Sequence, residues 1–141
     1  MTRWAIVDTG PLVALLDRRE RHHAWAVEQV RSVAPPLLVC EPVLVETCFL
    51  LARLPEATDA LFGLIENGAL RIAFHLEEHL GEIRALSVKY RDRPTSLADA
   101  CIVRMAELFD DHHVFTLDAD FTVYRKHGRK SLALIHPLAG R

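Results

Sequence analysis

The stretch WAIVDTGPL, residues 4–12, decides the fold, because a short apolar run is followed at once by an acid and by the turn formers Gly10 and Pro11. An apolar run with these bounds is typical of a strand that is buried on both faces of a sheet. We therefore predict an opening strand over residues 4–8 and a helix behind Pro11, over residues 12–16.

The remainder of the chain repeats this alternation of strand and helix. Further apolar runs predict four strands, at residues 37–40, 70–74, 114–117 and 132–135. Runs with helical spacing predict helices at residues 24–33, after Pro42, and at residues 56–66, 76–89 and 97–109. Because strands that alternate with helices form parallel sheets, the sequence predicts an α/β fold whose sheet is covered on both faces.

Composition excludes several classes of protein. The chain has 141 residues, of which 50% are hydrophobic and 26% charged, and its net charge is −2. These values predict one globular domain over residues 1–141 and exclude a disordered tail, a collagen-like protein and a coiled coil. No run approaches the ~18 apolar residues of a membrane span, and the first residues lack the pattern of a signal peptide. We expect a soluble, cytoplasmic protein in which Cys40, Cys48 and Cys101 are reduced packing residues.

Two acids follow predicted strands, at the edge where parallel sheets bind ligands. Asp8 ends the first strand, and Asp118 follows the fourth in FTLDADF, residues 115–121, with Asp120 two positions later. Because parallel strands end at the same edge, Asp8 and Asp118 should face one rim of the sheet. For either acid alone, a helix cap or a solvated turn is the more ordinary role.

Glu46 stands out within the helix that follows Pro42. It is the only acid between Pro42 and Arg53, and most of its neighbours are apolar. If its side chain is buried, the cost is high unless something compensates the charge, and a divalent cation would do so. The alternative is a surface stripe that Glu46 shares with Thr47 and Arg53, and the helix pattern leaves both interpretations open.

Asp99 lies near the start of the helix in TSLADACIVRMAE, residues 95–107. Ser96 and Asp99 have the spacing of a capping box, and an acid in the first turn complements the helix dipole. Asp99 is also the fourth acid, with Asp8, Glu46 and Asp118, on elements that must pack near one rim. Hard cations such as Mg²⁺ and Mn²⁺ take oxygen ligands of this kind, together with water and substrate phosphates. The sequence therefore predicts a divalent-cation site.

Four segments together resemble the PIN-domain ribonucleases of the VapC-like toxin type. They are VDTGPLVALLD (residues 7–17), EPVLVE (41–46), SLADA (96–100) and FTLDADF (115–121). The resemblance covers almost the whole chain and rests on the order and spacing of the segments. It implies a three-layer α/β/α fold around a central parallel sheet of about five strands. It also implies that Asp8, Glu46, Asp99 and Asp118 bind Mg²⁺ or Mn²⁺ and carry catalysis.

The activity that the resemblance implies is metal-dependent hydrolysis of RNA phosphodiester bonds. In such a reaction a cation polarises the phosphate and lowers the pKa of a bound water, so no nucleophilic side chain is needed. The hydroxyl residues Thr9, Ser96 and Thr116, together with Asp120, are expected to orient the acids or the waters around the ion.

Two basic runs are candidates for RNA contacts. They supply Arg18 and Arg19, in RRERHH at residues 18–23, and Arg125, Lys126, Arg129 and Lys130, in YRKHGRK at residues 124–130. Phosphate contacts from these side chains would offset the repulsion between RNA and the acids. Either run by itself is equally compatible with a solvated charged loop.

Short chains of this family are often toxins of bacterial type II toxin–antitoxin pairs, dimeric and inhibited by a small protein. The resemblance therefore implies a toxin, a homodimer and an antitoxin partner. Gly10 and Pro11 depart from the Ser-containing first motif that is common among characterised toxins, so a non-toxin RNA-processing nuclease is the alternative.

Patterns of other protein classes also occur. DTG at residues 8–10 matches the aspartic-protease signature, but the chain has one copy and alternates helices with strands. HLEEH at residues 75–79 matches a zinc-protease pattern, but His75 closes a predicted strand. A Mg²⁺-binding receiver domain would need an acid pair after the first strand and a Lys near the end, where this chain has His136 and Pro137. A PIN-like nucleic-acid-binding module without turnover stays open.

Overall fold

The computed structural model describes residues 2–138 and is built around a parallel sheet. The strands are β1 (Ala5–Val7), β2 (Leu37–Val39), β3 (Leu70–Ile72), β4 (His113–Phe115), β5 (Arg125–Lys126), β6 (Lys130–Ser131) and β7 (Leu134–Ile135). Five of them form the parallel sheet, in the order β3-β2-β1-β4-β7, and β5 and β6 form a separate antiparallel hairpin. In the centre of the sheet Ile6 pairs with Leu38 on one side and with Val114 on the other.

Helices flank this sheet. They are α1 (Thr9–Leu16), α2 (His23–Arg31), α3 (Glu41–Leu50), α4 (Pro55–Glu66), α5 (Leu80–Lys89) and α6 (Leu97–Leu108). α3 and α4 have a proline, Pro42 and Pro55, within their first two positions, where the missing N–H has no helical partner to lose.

The order of the strands opens a crevice at the middle of the sheet. From β1 the chain adds β2 and β3 towards one edge, and it later returns to the other side of β1 with β4 and β7. Because crossovers between parallel strands are right-handed, α1 to α4 cover one face and α5 and α6 cover the other. The loops after β1 and β4 therefore leave on opposite faces, and ligands bind at such a point in open α/β sheets.

The core lies against the two central strands. Ile6 and Val114 are fully buried, and Phe115 and Val7 are each 1% exposed. Eight of the twelve residues of α6 are also buried, which makes it the most deeply packed helix of the described chain. An acid in the first turn of α6 is therefore held against the sheet by a rigid element.

The predicted α/β architecture and its five parallel strands are confirmed, although each strand is shorter than predicted. α1 begins at Thr9, three residues before the predicted start, because its first turn accommodates Pro11. The helix predicted over residues 76–89 is wrong at its start, since Leu76–His79 form a 3-10 turn and α5 begins at Leu80. Numbered in chain order, the five parallel strands lie across the sheet in the order 3-2-1-4-5. Receiver domains have the order 2-1-3-4-5, so the receiver domain is excluded as an alternative.

None of the helices within residues 2–138 is both long enough and apolar enough to cross a membrane. All three cysteines are free thiols, as predicted, with Cys40 and Cys101 buried and Cys48 half-buried.

Candidate active site

Four acids from four different elements line one cleft of about 430 Å³. Asp8 follows β1, Asp118 follows β4, Glu46 lies in α3 and Asp99 lies in the first turn of α6. The remaining lining residues are Thr9, Gly10, Pro94, Ser96 and Leu117. The structure thus brings together all four acids that the sequence singles out, at the crevice between β1 and β4.

Asp8 is held by the start of α1 and by Thr116, which follows β4. It caps α1, with Oδ1 accepting a hydrogen bond from the backbone N–H of Thr9 at 2.8 Å. Its Oδ2 accepts from the hydroxyl of Thr116 at 2.8 Å. The same hydroxyl accepts from the N–H of Asp118 at 2.9 Å, so Thr116 fixes one acid and the backbone of another. The predicted function of Thr116, to orient an acid of the site, would act through its hydrogen bond to Asp8.

Burial raises the pKa of Asp8 from 3.8 to about 6. The hydrogen bonds from Thr116 and Thr9 lower this pKa, and the charges of Asp99 and Asp118 raise it. An ion of opposite charge bound in the cleft would relieve this repulsion of Asp8 by Asp99 and Asp118.

Asp99 forms the predicted capping box and also lines the cleft. The capping box is complete, because the N–H of Asp99 donates to Ser96 Oγ at 3.0 Å and the N–H of Ser96 donates to Asp99 Oδ2 at 3.4 Å. The same carboxylate is buried and lines the cleft. Burial raises its pKa, and a hydrogen bond from Tyr124 lowers it.

Glu46 is exposed, so the interpretation of a buried carboxylate is wrong. Its neighbour Thr47 is fully buried instead, with its hydroxyl donating to the carbonyl oxygen of Val43. α3 has apolar residues on both faces, and that is why its composition does not reveal which face is covered. Glu46 nevertheless reaches the cleft, where Oε2 accepts a hydrogen bond from the Thr9 hydroxyl at 2.9 Å.

Asp118 lies at the exposed edge of the cleft, and Asp120 lies outside it. Asp118 Oδ1 accepts from the N–H of Asp120 at 2.8 Å and caps the 3-10 turn Ala119–Thr122. Asp120 does not line the cleft, and its Oδ1 lies 3.6 Å from a guanidinium nitrogen of Arg93.

The donor set fits a hard divalent cation. Three of the carboxylates keep one oxygen that accepts no hydrogen bond from residues 2–138, namely Glu46 Oε1, Asp99 Oδ1 and Asp118 Oδ2. Within the same residues, no Lys or Arg forms an ion pair with any of the four acids. Oxygen ligands with uncompensated negative charge are those that Mg²⁺ and Mn²⁺ prefer.

The acids do not form a closed cage. In the part of the chain that the structure describes, no group of three or more His, Cys, Asp or Glu side chains is close enough together to hold an ion by itself. An open arrangement suits an ion that keeps several waters and takes only one or two carboxylates directly, as Mg²⁺ does.

Sequence reasoning missed the residues that support Asp99 from behind. Tyr124 and Thr95 lie beside it, and Arg93 and Pro94 belong to the loop that borders the cleft. In the sequence, Tyr124 stands out only as the first residue of a basic run. A buried hydroxyl beside a charged turn has no periodic signal, so only the tertiary contact reveals it.

The basic residues lie away from the acids. Arg18 and Arg19 are exposed and follow α1, which extends about 10 Å from Thr9 to its last residue. Arg129 and Lys130 are exposed on the β5-β6 hairpin, which contacts the far end of α6.

Lys126 and Arg125 of the second run have partners within the protein, and Lys130 Nζ lies 4.0 Å from Asp110 Oδ2. Lys126 is 3% exposed, and its Nζ lies 2.9 Å from Asp110 Oδ1 and 3.0 Å from the carbonyl oxygen of Asp110. Arg125 donates from one nitrogen to the carbonyl oxygens of Thr122, Val123 and Tyr124. In this conformation Lys126 therefore holds the hairpin to the chain after α6 and does not face solvent.

Comparison with known proteins agrees with this architecture. Residues 5–127 match the PIN domain family. The chain is 27% identical over 137 residues to ribonuclease VapC26 of Mycobacterium tuberculosis, which covers 96% of this chain and 94% of that protein. It superimposes with a TM-score of 0.74 on the crystal structure of M. tuberculosis VapC20, described as a sarcin-ricin loop cleaving toxin. That match has 22% identity and covers 84% of this chain and 93% of the other. The chain belongs to the PIN domain family.

Proposed function

We propose that this protein is an endoribonuclease that hydrolyses RNA phosphodiester bonds with the help of Mg²⁺ or Mn²⁺. The observation that carries the proposal is the cleft itself, in which four acids from four elements meet without a basic partner among residues 2–138. The family membership and the ribonuclease VapC26 relative support the same reaction. PIN-domain ribonucleases generally depend on a divalent metal, and the choice of Mg²⁺ or Mn²⁺ follows from the oxygen donors.

Asp8, Glu46, Asp99 and Asp118 are the residues that would hold the cation. Bound there, it would supply Lewis-acid activation of the phosphate and of a water. The protein's own contribution is to keep the acids oriented. Thr116 orients Asp8, Thr9 orients Glu46, and Ser96 orients Asp99, each through a contact shorter than 3.5 Å.

RNA contacts are assigned to exposed cations at a distance from the cleft. Arg18 and Arg19 follow the last residue of α1, and Arg129 and Lys130 lie on the β5-β6 hairpin near the end of α6. α6 extends about 14 Å from Asp99 to its last residue, so contact with the hairpin requires several nucleotides of bound strand. Lys126 is left out of this set because its charge is paired with Asp110 inside the protein.

The first experiment measures cleavage of a fluorescent RNA that contains single-stranded loops. Cleavage is expected in the presence of Mg²⁺ or Mn²⁺ and is expected to fall by about three orders of magnitude in excess EDTA, because the loss of several kcal/mol of charge stabilisation corresponds to a factor of this size. The same ions should raise the melting temperature by mass action.

The matched control is Asp59→Asn, which removes an exposed acid of α4 outside the cleft and should leave cleavage unchanged. Cleavage that persists at the original rate in EDTA would contradict the proposal.

We infer further that the nuclease is the toxin of a bacterial toxin–antitoxin pair. The relative VapC20 is described as a toxin, and both relatives are matched over more than nine-tenths of their own length. A small antitoxin protein would then cover the cleft. A homodimer is supported by three apolar side chains of α3 that are 59% to 79% exposed, those of Val45, Phe49 and Leu50. Sedimentation of the purified chain measures its oligomeric state.

The toxin function predicts growth arrest when the chain is expressed alone in bacteria. Co-expression of a small protein encoded next to its gene should restore growth, because the antitoxin blocks access to the acids. Expression of an inactive variant should be harmless. Normal growth of cells that contain active nuclease would favour the RNA-processing alternative.

A further inference from the structure

Tyr124 lies at the entrance to the β5-β6 hairpin, directly behind Asp99. Its side chain is fully buried, and its hydroxyl donates to Asp99 Oδ2 over 3.0 Å. The same hydroxyl lies 3.1 Å from Thr95 Oγ1. A phenol has one proton and an ionised carboxylate only accepts, so the proton goes to Asp99 and the Thr95 hydroxyl is the donor in the second pair.

The ring of Tyr124 has little freedom to move. It packs edge-on against Tyr90, with ring centroids 5.0 Å apart, and against Phe121 at 5.2 Å. The guanidinium carbon of Arg93 lies 6.0 Å from the ring centroid. Aromatic pairs in this arrangement have a preferred geometry, so the hydroxyl is presented to Asp99 at a fixed place.

The hairpin that follows Tyr124 is anchored on both sides. The N–H of Arg125 donates to the Tyr90 hydroxyl at 2.9 Å, and the N–H of His127 donates to Glu107 Oε2 at 2.7 Å. Lys126 is paired with Asp110, as described above. Part of the basic run therefore holds Tyr124 against α6, which is a structural function distinct from RNA contact.

We propose that Tyr124 is a positioning residue for the cation site, because its hydroxyl engages Asp99 Oδ2 and so leaves Oδ1 as the oxygen that is available to the ion. The capping box by itself is a weaker restraint, since the N–H of Ser96 lies 3.4 Å from the same Oδ2. Without the phenol, the carboxylate can rotate between the cap and the cleft. The inference rests on the proposed function, in which Asp99 is a ligand.

The test measures Mn²⁺ binding by electron paramagnetic resonance, which counts free Mn²⁺ and needs no substrate. Tyr124→Phe keeps the ring and removes the hydroxyl, and it is expected to weaken Mn²⁺ affinity about tenfold, the lower end of the range for residues that orient a ligand. RNA cleavage by Tyr124→Phe, relative to the unmodified protein, should fall less at saturating Mn²⁺ than at low Mn²⁺, because the variant binds the ion more weakly.

Ser87→Ala is the control. It removes a hydroxyl of α5 that donates to the carbonyl oxygen of Ile83 and contacts neither Tyr124 nor any of the four acids. Its Mn²⁺ affinity should equal that of the unmodified protein. If Tyr124→Phe binds Mn²⁺ normally, or if both variants lose affinity equally, the positioning function is overturned.

Asp99→Asn separates this inference from the proposed function. If that variant also binds Mn²⁺ normally, the cation site itself is wrongly assigned and the inference falls with it. If Tyr124→Phe does not fold, Thr95→Val removes the other partner of the phenol, and a loss of Mn²⁺ affinity of up to about tenfold is expected. Unchanged affinity in Thr95→Val would then overturn the proposal.

Discussion

Asp8→Asn is expected to lower metal-dependent RNA cleavage by about three orders of magnitude, because one charged oxygen ligand is lost from the cation site. The carboxylate accepts from Thr9 and Thr116, and an asparagine at this position keeps the shape and one acceptor oxygen. The loss should therefore lie in turnover and not in folding. Single-turnover cleavage of labelled RNA measures it, with Asp59→Asn as the control outside the cleft.

The same substitution is expected to stabilise the fold at neutral pH in EDTA. The pKa of Asp8 is raised to about 6 by burial, so the native state binds a proton that the unfolded state releases near its ordinary pKa of 3.8. Stability of the unmodified protein should fall as the pH rises from 4 to 6. Above this window Asp8→Asn avoids the cost of a buried charge and should gain roughly 1–3 kcal/mol.

Urea unfolding at pH 4, 5, 6 and 7 separates the two effects. The variant should show a flatter pH dependence than the unmodified protein, because the group that titrates in this window is gone. A variant that loses stability at every pH would mean that its inactivity reflects misfolding. Undiminished cleavage by a stable Asp8→Asn protein would refute the catalytic assignment.

Phe115→Ala is expected to destabilise the fold by about 3–5 kcal/mol, the range for truncating a buried aromatic residue. Phe115 is 1% exposed in the central strand β4, and its ring lies 5.5 Å from that of Trp25 in an edge-on arrangement. Truncation leaves a cavity between the sheet and α2, and β4 is too closely packed to collapse into it. Urea unfolding in the presence of EDTA measures the change.

Phe62→Ala provides the comparison for this effect. The same atoms are removed from α4, where Phe62 is 50% exposed, and the expected cost is about 1 kcal/mol. Equal costs for the two truncations would contradict the placement of Phe115 at the centre of the core.

Much of the fold can be predicted from the sequence because buried parallel strands have a strong signal. Residues 4–8 and 114–117 are mainly apolar runs; the first contains β1 and the second overlaps β4. Asp8 ends the first run and Asp118 follows the second, so topology alone directs both acids to one edge of the sheet. The Ser96 and Asp99 spacing identifies a capping box that the structure contains in full.

The rest depends on contacts between distant residues. Glu46 lies in an apolar helix, yet the helix exposes Val45 and Phe49 on one side, and no local pattern reveals which side is covered. Tyr124 meets Asp99 across 25 residues of chain, and Lys126 meets Asp110 across 16. Charged side chains are exposed on average, but a Lys with an anionic partner can be buried. Lys126 meets its partner Asp110 only when the hairpin has folded onto α6.

The cleft joins acids that are spread along the chain from residue 8 to residue 118, and Tyr124 follows them. A nascent polypeptide emerging from a ribosome therefore has no assembled site until Asp118 has been synthesised and β4 has inserted beside β1. Fragments that end before residue 118 lack one acid and should be harmless to the cell that makes them. Chain order alone thus delays the appearance of nuclease activity until all four acids have left the ribosome.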